Sequence, residues 1–276
     1  MKRIDSAANP AFRRWLRLMR DPRAIRAAGR ALAEGEHLAA ELAAARVPVE
    51  ALLLRRGPYD AERQRWIETF LAAGTPVYEL SAALFDRLSA LEHSAGIALE
   101  FAVPRPQPPT DGDLLLLDGV QHPGNAGALV RVAAAAGVRS VLTTAGTTAL
   151  WAPKALRGGQ GAHFYVNIIE GVAFAQLQAL AGVHWIAAAT RSAQSIWQAD
   201  LRATRIGWVV GAEGRGLSAD AEALCKQHVS VPLAAGIESL NVVAAAAVCL
   251  FERRRQLLAS VNSGPVDDRL QWRKRV

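Results

Sequence analysis

The stretch IGWVVGAEGRGL, Ile206–Leu217, decides the fold. Ile206 to Val210 form an unbroken apolar run, the pattern of a strand buried on both faces and typical of a parallel sheet. The turn that follows, Gly211-Ala212-Glu213-Gly214-Arg215-Gly216-Leu217, invites comparison with the glycine-rich fingerprint of dinucleotide-binding folds. That reading fails. Glu213 stands where the middle glycine lets the backbone approach a pyrophosphate, and a carboxylate there repels one. A glycine-lined loop with a single carboxylate suits a ligand that is uncharged or cationic at this point. An ordinary strand-to-helix turn explains the glycines but not Glu213.

Outward from this stretch, Leu114 to Leu117, Ser140 to Thr144, Trp185 to Ala189 and Val229 to Val231 read as further buried strands, with alanine-rich helical segments between them. The alternation predicts an α/β domain with a mostly parallel sheet flanked by helices. Ligands in such sheets sit where the strands' carboxyl ends meet loops. The run Pro104-Arg105-Pro106-Gln107-Pro108-Pro109 predicts an extended, semi-rigid spacer, because repeated prolines remove donors and restrict their neighbours. The expected organisation is a small first domain over 1–103, a proline-rich linker over 104–110, a second domain over 111–259 and a basic tail over 260–276 that carries Arg269, Arg273, Lys274 and Arg275.

The first domain opens with an amphipathic helix: Phe12, Trp15, Leu16 and Met19 share one face, Arg13, Arg14, Arg17 and Arg20 occupy the others, and Asp21-Pro22 ends it. From Met1 to Arg30 the basic residues are Lys2, Arg3, Arg13, Arg14, Arg17, Arg20, Arg23, Arg26 and Arg30, against Asp5 and Asp21, which favours RNA contact over a merely solvated face. Helical stretches such as Leu32 to Ala45 and short strands, Ala51 to Leu54 and Pro76 to Leu80, predict a small α/β sandwich without visible chemistry. His37 and His93 have no partners at catalytic or metal-binding spacing.

Composition agrees. With 276 residues, 51% of them hydrophobic, the chain can bury two cores. A net charge of +7 and a pI near 10.1 make a polyanion the natural partner. Cys225 and Cys249 cannot form a disulfide framework and lack zinc-site spacing, so no metal is expected and a reducing cytoplasm fits. The polar start and the shortness of the longest apolar run, Val242 to Phe251, predict a soluble, unsecreted protein with no membrane span.

Two more segments carry polar groups at strand ends. In Asp118-Gly119-Val120-Gln121-His122-Pro123-Gly124-Asn125-Ala126-Gly127-Ala128-Leu129-Val130-Arg131, Asn125 is placed to cap a helix and Arg131 lies nearly two turns along it, isolated among small apolar residues. An anion-binding or catalytic role fits that isolation at least as well as surface decoration. In Val231-Pro232-Leu233, Gly236 and Glu238-Ser239-Leu240-Asn241, Ser239 can cap the following helix, Val242 to Leu258. The small apolar face of Val242, Val243, Ala245, Ala246 and Ala247 suits either a core contact or a dimer contact.

Together these segments resemble the SpoU, or TrmH-like, family of RNA ribose methyltransferases within the SPOUT class. The resemblance rests on Asn125, Gly127 and Arg131, on Gly211 to Leu217, and on Pro232-Leu233 followed by Ser239-Leu240-Asn241, with Pro153-Lys154, Arg157 and Gly161-Ala162 between. It covers roughly residues 111 to 258. More weakly, Arg30, Gly35 to Leu38 and Leu88 to Ile97 resemble an L30-like substrate-binding domain. His122 departs from the pattern, since many relatives carry an acidic residue there, and Gly158-Gly159-Gln160 replaces a serine-containing stretch.

The resemblance implies a C-terminal trefoil knot, S-adenosylmethionine as methyl donor, a homodimer and methylation of a ribose 2′-hydroxyl, with ribosomal RNA favoured and transfer RNA plausible. By the same carry-over, Ala189, Gly211, Gly216, Val231, Leu233, Ser239 and Leu240 hold the cofactor largely through backbone groups. Arg131, Asn125, Glu213, Ser239 and Asn241 form the catalytic set, with Arg131 easier to accept as an anion holder than as a base. Arg13, Arg14, Arg17, Arg20 and Arg157 are the candidate RNA contacts. A base-directed methyltransferase and a catalytically silent RNA-binding or ribosome-assembly protein are the alternatives. Arg131, Glu213 and Asn241 together count against the silent one.

Overall fold

The computed structural model describes residues 1–89, 91, 94–190 and 192–261. In chain order the first elements are β1 (Lys2–Ile4), α1 (Pro10–Arg20), α2 (Pro22–Ala28), β2 (Arg30–Glu34), α3 (Glu36–Ala44), β3 (Val49–Arg55), α4 (Ala61–Ala72), β4 (Val77–Leu80), α5 (Ala82–Leu88) and β5 (Ile97–Ala102). There follow β6 (Leu114–Asp118), α6 (Pro123–Ala136), β7 (Ser140–Thr143), α7 (Pro153–Gly159), β8 (Asn167–Ile169), α8 (Phe174–Gln178), β9 (His184–Ala188), β10 (Ile206–Gly211), α9 (Ala219–Leu224), β11 (Gln227–Val229) and α10 (Val242–Val261). The chain folds as two units, one of Met1–Arg105 with Ala149–Tyr165, the other of Pro106–Thr148 with the chain from Val166 onward.

The first unit is built on a five-stranded sheet of order β1-β4-β3-β5-β2. β2 and β3 flank β5 antiparallel, while β4 pairs parallel with β3 and β1. Asn9 starts α1 by accepting the N–H groups of Ala11 and Phe12, and Pro10, which has no N–H to leave unbonded, takes the first helical position. The helix buries Phe12, Trp15, Leu18 and Met19, so Leu18 rather than Leu16 completes its apolar face. The expected helix over Leu32 to Ala45 divides into β2 and α3, because Gly35 takes φ +108° between them.

The segment Ala149–Tyr165, counted from the sequence with the second domain, folds with the first. Trp151 and Phe164 meet Phe101 of β5 edge-on, at 6.1 and 5.4 Å between ring centroids, and α7 packs beside β2. His163 is buried among them, 5.5 Å from Trp151. His37 lies against the carbonyl of Gln160 at 3.3 Å. His93, part of the Leu88 to Ile97 stretch and the tail beyond Val261 lie outside the described residues.

The second unit carries a six-stranded sheet of order β11-β9-β10-β6-β7-β8 in which every pair is parallel. Leu114, Leu116, Leu142, Trp185 and Val209 pack one face against Leu177, Ala221 and Leu224. On β10 and β6 the residues between them, Trp208, Val210, Leu115 and Leu117, are buried too, which is why these strands read as continuous apolar runs. α10 packs along α6, with Ala246, Cys249 and Leu250 buried. Of the strands here, β8 has too short an apolar run to announce itself, and β11 ends at Val229, two residues earlier than expected. The second half of the proline-rich stretch is not a free spacer. Gln107 exchanges hydrogen bonds with Asn167 at 2.9 and 2.8 Å, and Arg205 donates to the carbonyls of Pro109 and Gly112.

Candidate active site

Register brings the site together. Gly211 on β10 lies beside Asp118 on β6, so the loops leaving these two neighbouring strands start side by side at the carboxyl edge. Across that gap Asn125 Nδ2 donates to Glu213 Oε1 at 2.8 Å, joining residues 88 positions apart. Asn125 is the third residue of α6 and not its cap; His122 caps the helix, its Nδ1 accepting the Asn125 N–H at 3.3 Å. The Asn125 side chain is therefore free to reach Glu213.

The Glu213 loop is a tight reversal. Ala212 and Gly216 exchange backbone hydrogen bonds at 3.0 and 2.9 Å, and Gly216 takes φ +70°. A Cβ on Gly211 would stand 2.3 Å from the Gly216 carbonyl carbon, so no side chain fits there. Beneath the loop, Asp118 is 5% exposed and accepts the Thr144 hydroxyl at 2.8 Å and the Ser218 N–H at 2.7 Å. Arg131 is exposed on α6 and makes no hydrogen bond or ion pair among the described residues, which leaves its five donors available to an anion.

On the other side of β10, β9 and β11 end at a cavity of about 490 Å³ lined by Thr190, Ser192, Ser230, Val231, Pro232, Leu233, Gly236, Ile237 and Glu238. Its size lies within the range of small-molecule sites. Of the residues expected to hold a cofactor, Val231 and Leu233 line it directly. Ala189, beside Thr190, gives its N–H to Val229 O at 2.9 Å. The loop that Ala189 begins is fixed by hydrogen bonds from Ser192 Oγ to His228 O and from Ser230 Oγ to Ser192 O. Ser239 and Leu240 are exposed and do not line the cavity, and Ser239 does not cap α10: Asn241 does, accepting the Val243 N–H at 2.9 Å. Thr190, Ser192, Ser230 and Glu238 were not singled out from the sequence. Glu238 stood in the quoted Glu238-Ser239-Leu240-Asn241, but serines and threonines in loops carry no linear signal. With hydroxyls, backbone groups and one carboxylate, the lining fits a small cationic ligand with an apolar part.

Other chemistry is excluded by environment. Burial, with Glu222 and Asp118 nearby, pushes the Cys225 thiol up to about 12, and burial alone does the same for Cys249, so neither is a thiolate near neutral pH. In the first unit, Arg13 and Arg17 are exposed, Arg20 donates to the carbonyl of Arg87 at 3.2 Å, and Arg157 is exposed on α7. Arg14 is committed elsewhere: its Nε and a terminal nitrogen grip Glu100 at 3.1 and 2.7 Å.

The second unit is thus an α/β fold whose all-parallel sheet carries a cavity and an amide–carboxylate pair along one carboxyl edge, where ligands of such sheets bind. The SpoU rRNA methylase family matches residues 113–251, and the RNA 2′-O ribose methyltransferase substrate-binding family matches residues 32–107. The chain belongs to the SpoU rRNA methylase family. It is 30% identical over 256 residues to the 23S rRNA (guanosine(2553)-2′-O)-methyltransferase RlmP of Bacillus subtilis, covering 92% of this chain and 100% of that one. A solved RNA 2′-O ribose methyltransferase superposes with a TM-score of 0.75 at 28% identity, over 93% of this chain and 99% of the other. The SpoU methyltransferase AviRb of Streptomyces viridochromogenes, solved with AdoMet, matches in fold with a TM-score of 0.81 at 20% identity, over 91% and 99%. The fold is that of the SPOUT class, for which the knot was expected.

Proposed function

We propose that the protein transfers a methyl group from S-adenosylmethionine to a ribose 2′-hydroxyl of 23S ribosomal RNA. The observation that carries this reading is the Asn125–Glu213 hydrogen bond, which joins two separate family segments at one carboxyl edge, with the cavity along the same edge. The relatives named for 23S rRNA favour ribosomal over transfer RNA. Val231 and Leu233 with the backbone near Ala189, Gly211, Gly216, Ser239 and Leu240 hold the cofactor, and Glu238 stands where a positive charge is to be matched.

The cofactor supplies an electrophilic methyl group on a sulfonium, a leaving group that needs neither metal nor protonation. The chain's own task is to place the nucleophilic oxygen and manage its proton. Arg131 holds the target phosphate and stabilises negative charge as the 2′-oxygen loses its proton to solvent. Asn125 and Glu213 orient one another and the nucleotide, and Asn241 anchors α10 behind Ser239. Arg13, Arg17 and Arg20 of α1, with Arg157 of α7, attract the RNA backbone, while Arg14 serves chiefly the fold. Two copies pair through the exposed Leu240, Phe251 and Leu258 of the C-terminal segment, and the reaction belongs to the cytoplasm. Among the described residues no helix is long and apolar enough to cross a membrane.

Calorimetric titration with S-adenosylmethionine and with its demethylated product tests the reading. Saturable binding to both, and a ribose-methylated nucleotide found by mass spectrometry in treated 23S rRNA, are the expected results. Absence of binding to folded, cofactor-free protein overturns it.

A further inference from the structure

The first turn of α6 is weak by composition. Pro123 supplies no N–H, and Gly124 and Gly127 are the poorest helix formers after proline. Asn125 sits in this turn, where backbone N–H groups have no partner within the helix. Its own N–H is satisfied by His122 Nδ1 at 3.3 Å, and the first backbone bond, from Ala126 N–H to His122 O at 3.0 Å, starts from the same residue. The Asn125 side chain in turn holds Glu213 at 2.8 Å. His122 is exposed, so its imidazole contributes no core packing that would explain its place.

We infer that His122 is a positioning residue for the methyl transfer: its ring caps α6 through Nδ1, fixes the glycine-flanked first turn, and so holds Asn125 where it can grip Glu213. This rests on the proposed methyltransferase reading for its catalytic consequence, but the cap itself does not. Replacing the ring by alanine leaves the Asn125 N–H unbonded and lets the turn fray. An aspartate restores an acceptor, and its charge suits the positive end of the helix.

The test uses the full chain with His122→Ala, His122→Asp, Asn125→Ala and the His122→Ala/Asn125→Ala pair. Methyl transfer is measured on an unmodified 23S rRNA transcript, and amide hydrogen exchange is followed over the peptide spanning residues 119–131. For His122→Ala, kcat falls about fivefold, the scale of a lost cap, with KM for RNA little changed and faster exchange in that peptide. His122→Asp recovers both, and in the Asn125→Ala background the His122 change lowers kcat no further. Full kcat and protection in His122→Ala overturn the inference, as do an aspartate variant no better than alanine or an additive loss in the pair. If the unaltered protein does not methylate the transcript, the functional reading fails. The exchange measurement then decides the cap alone, unchanged protection in His122→Ala overturning it.

Discussion

Glu100 in the first unit and Asp118 in the second are both buried carboxylates on strands, and they are used in opposite ways. Glu100 is fully buried in the middle of β5 and is gripped by Arg14 and by the Trp15 Nε1–H at 2.7 Å, so it ties α1 to the sheet. Asp118 ends β6 and, among the described residues, meets only neutral donors, the Thr144 hydroxyl and the Ser218 N–H, directly beneath the Glu213 loop. Position along the strand separates the roles. Mid-strand, a buried charge can only fasten one element to another. At the carboxyl edge of a parallel sheet it orders the loops that make a site.

The largest effect expected is on neither acid but on the exposed Arg131 of α6. Arg131→Ala should lower kcat by about 10²- to 10³-fold, the scale of removing one donor to a developing oxyanion, without shifting the melting temperature. Parallel single-turnover assays and thermal melts check both parts. A comparable loss of RNA affinity would make Arg131 a binding residue instead. Next, Glu100→Ala should destabilise the first unit by about 3 kcal/mol, since it strands the buried Trp15 N–H and leaves a cavity, while S-adenosylmethionine affinity stays the same. Denaturant unfolding beside calorimetry separates the two, and a loss of cofactor binding at equal foldedness would break the division drawn above. Asp118→Asn should act in between. It keeps the volume but offers one acceptor fewer, so kcat should fall about tenfold with only a small drop in stability. If it melts like Glu100→Ala and turns over normally, strand position does not distinguish the two acids.

The same contrast explains what could be read from the sequence. Four of the six strands of the second sheet were legible at nearly their observed ends, because burial on both faces leaves runs such as Leu114 to Leu117 with no polar interruption. In the first unit β2 and β5 were not, since Glu100 interrupts β5, charged residues leave β2 only the short run Ala31 to Ala33, and these apolar residues are equally compatible with helix. Asn125 and Glu213 were assigned to one catalytic set by resemblance, but neither their mutual hydrogen bond nor the capping roles could be read from the sequence. Asn125 and Ser239 are good caps by residue type, and Pro123 and the start of α10 moved the caps to His122 and Asn241. That Ala149–Tyr165 folds with the first unit was invisible, because Trp151, His163 and Phe164 have no periodicity; Trp151 and Phe164 cover Phe101, and His163 packs on Trp151.

That cover supplies the smallest effect and the sharpest contrast with the two acids, because His163 is buried with no countercharge among the described residues. Burial pushes its imidazole down to about 4, offset only in part by a backbone interaction with Leu150. A histidine depressed in the folded state is stable while neutral. As pH falls below its ordinary value of about 6.5 the unfolded chain takes up the proton first, so stability is lost progressively between about pH 6.5 and about pH 4. The loss amounts to about 1 kcal/mol at pH 5.5 and about 3 kcal/mol at most below pH 4. His163→Leu removes the titrating group from the aromatic cluster. Melts at pH 7.5 and 5.5 should therefore show the unaltered protein losing a few degrees more than the variant between the two conditions. Equal losses would mean that the imidazole finds a partner for its charge on protonation, and that the first unit, like Glu100 within it, does not leave a buried charge unmatched.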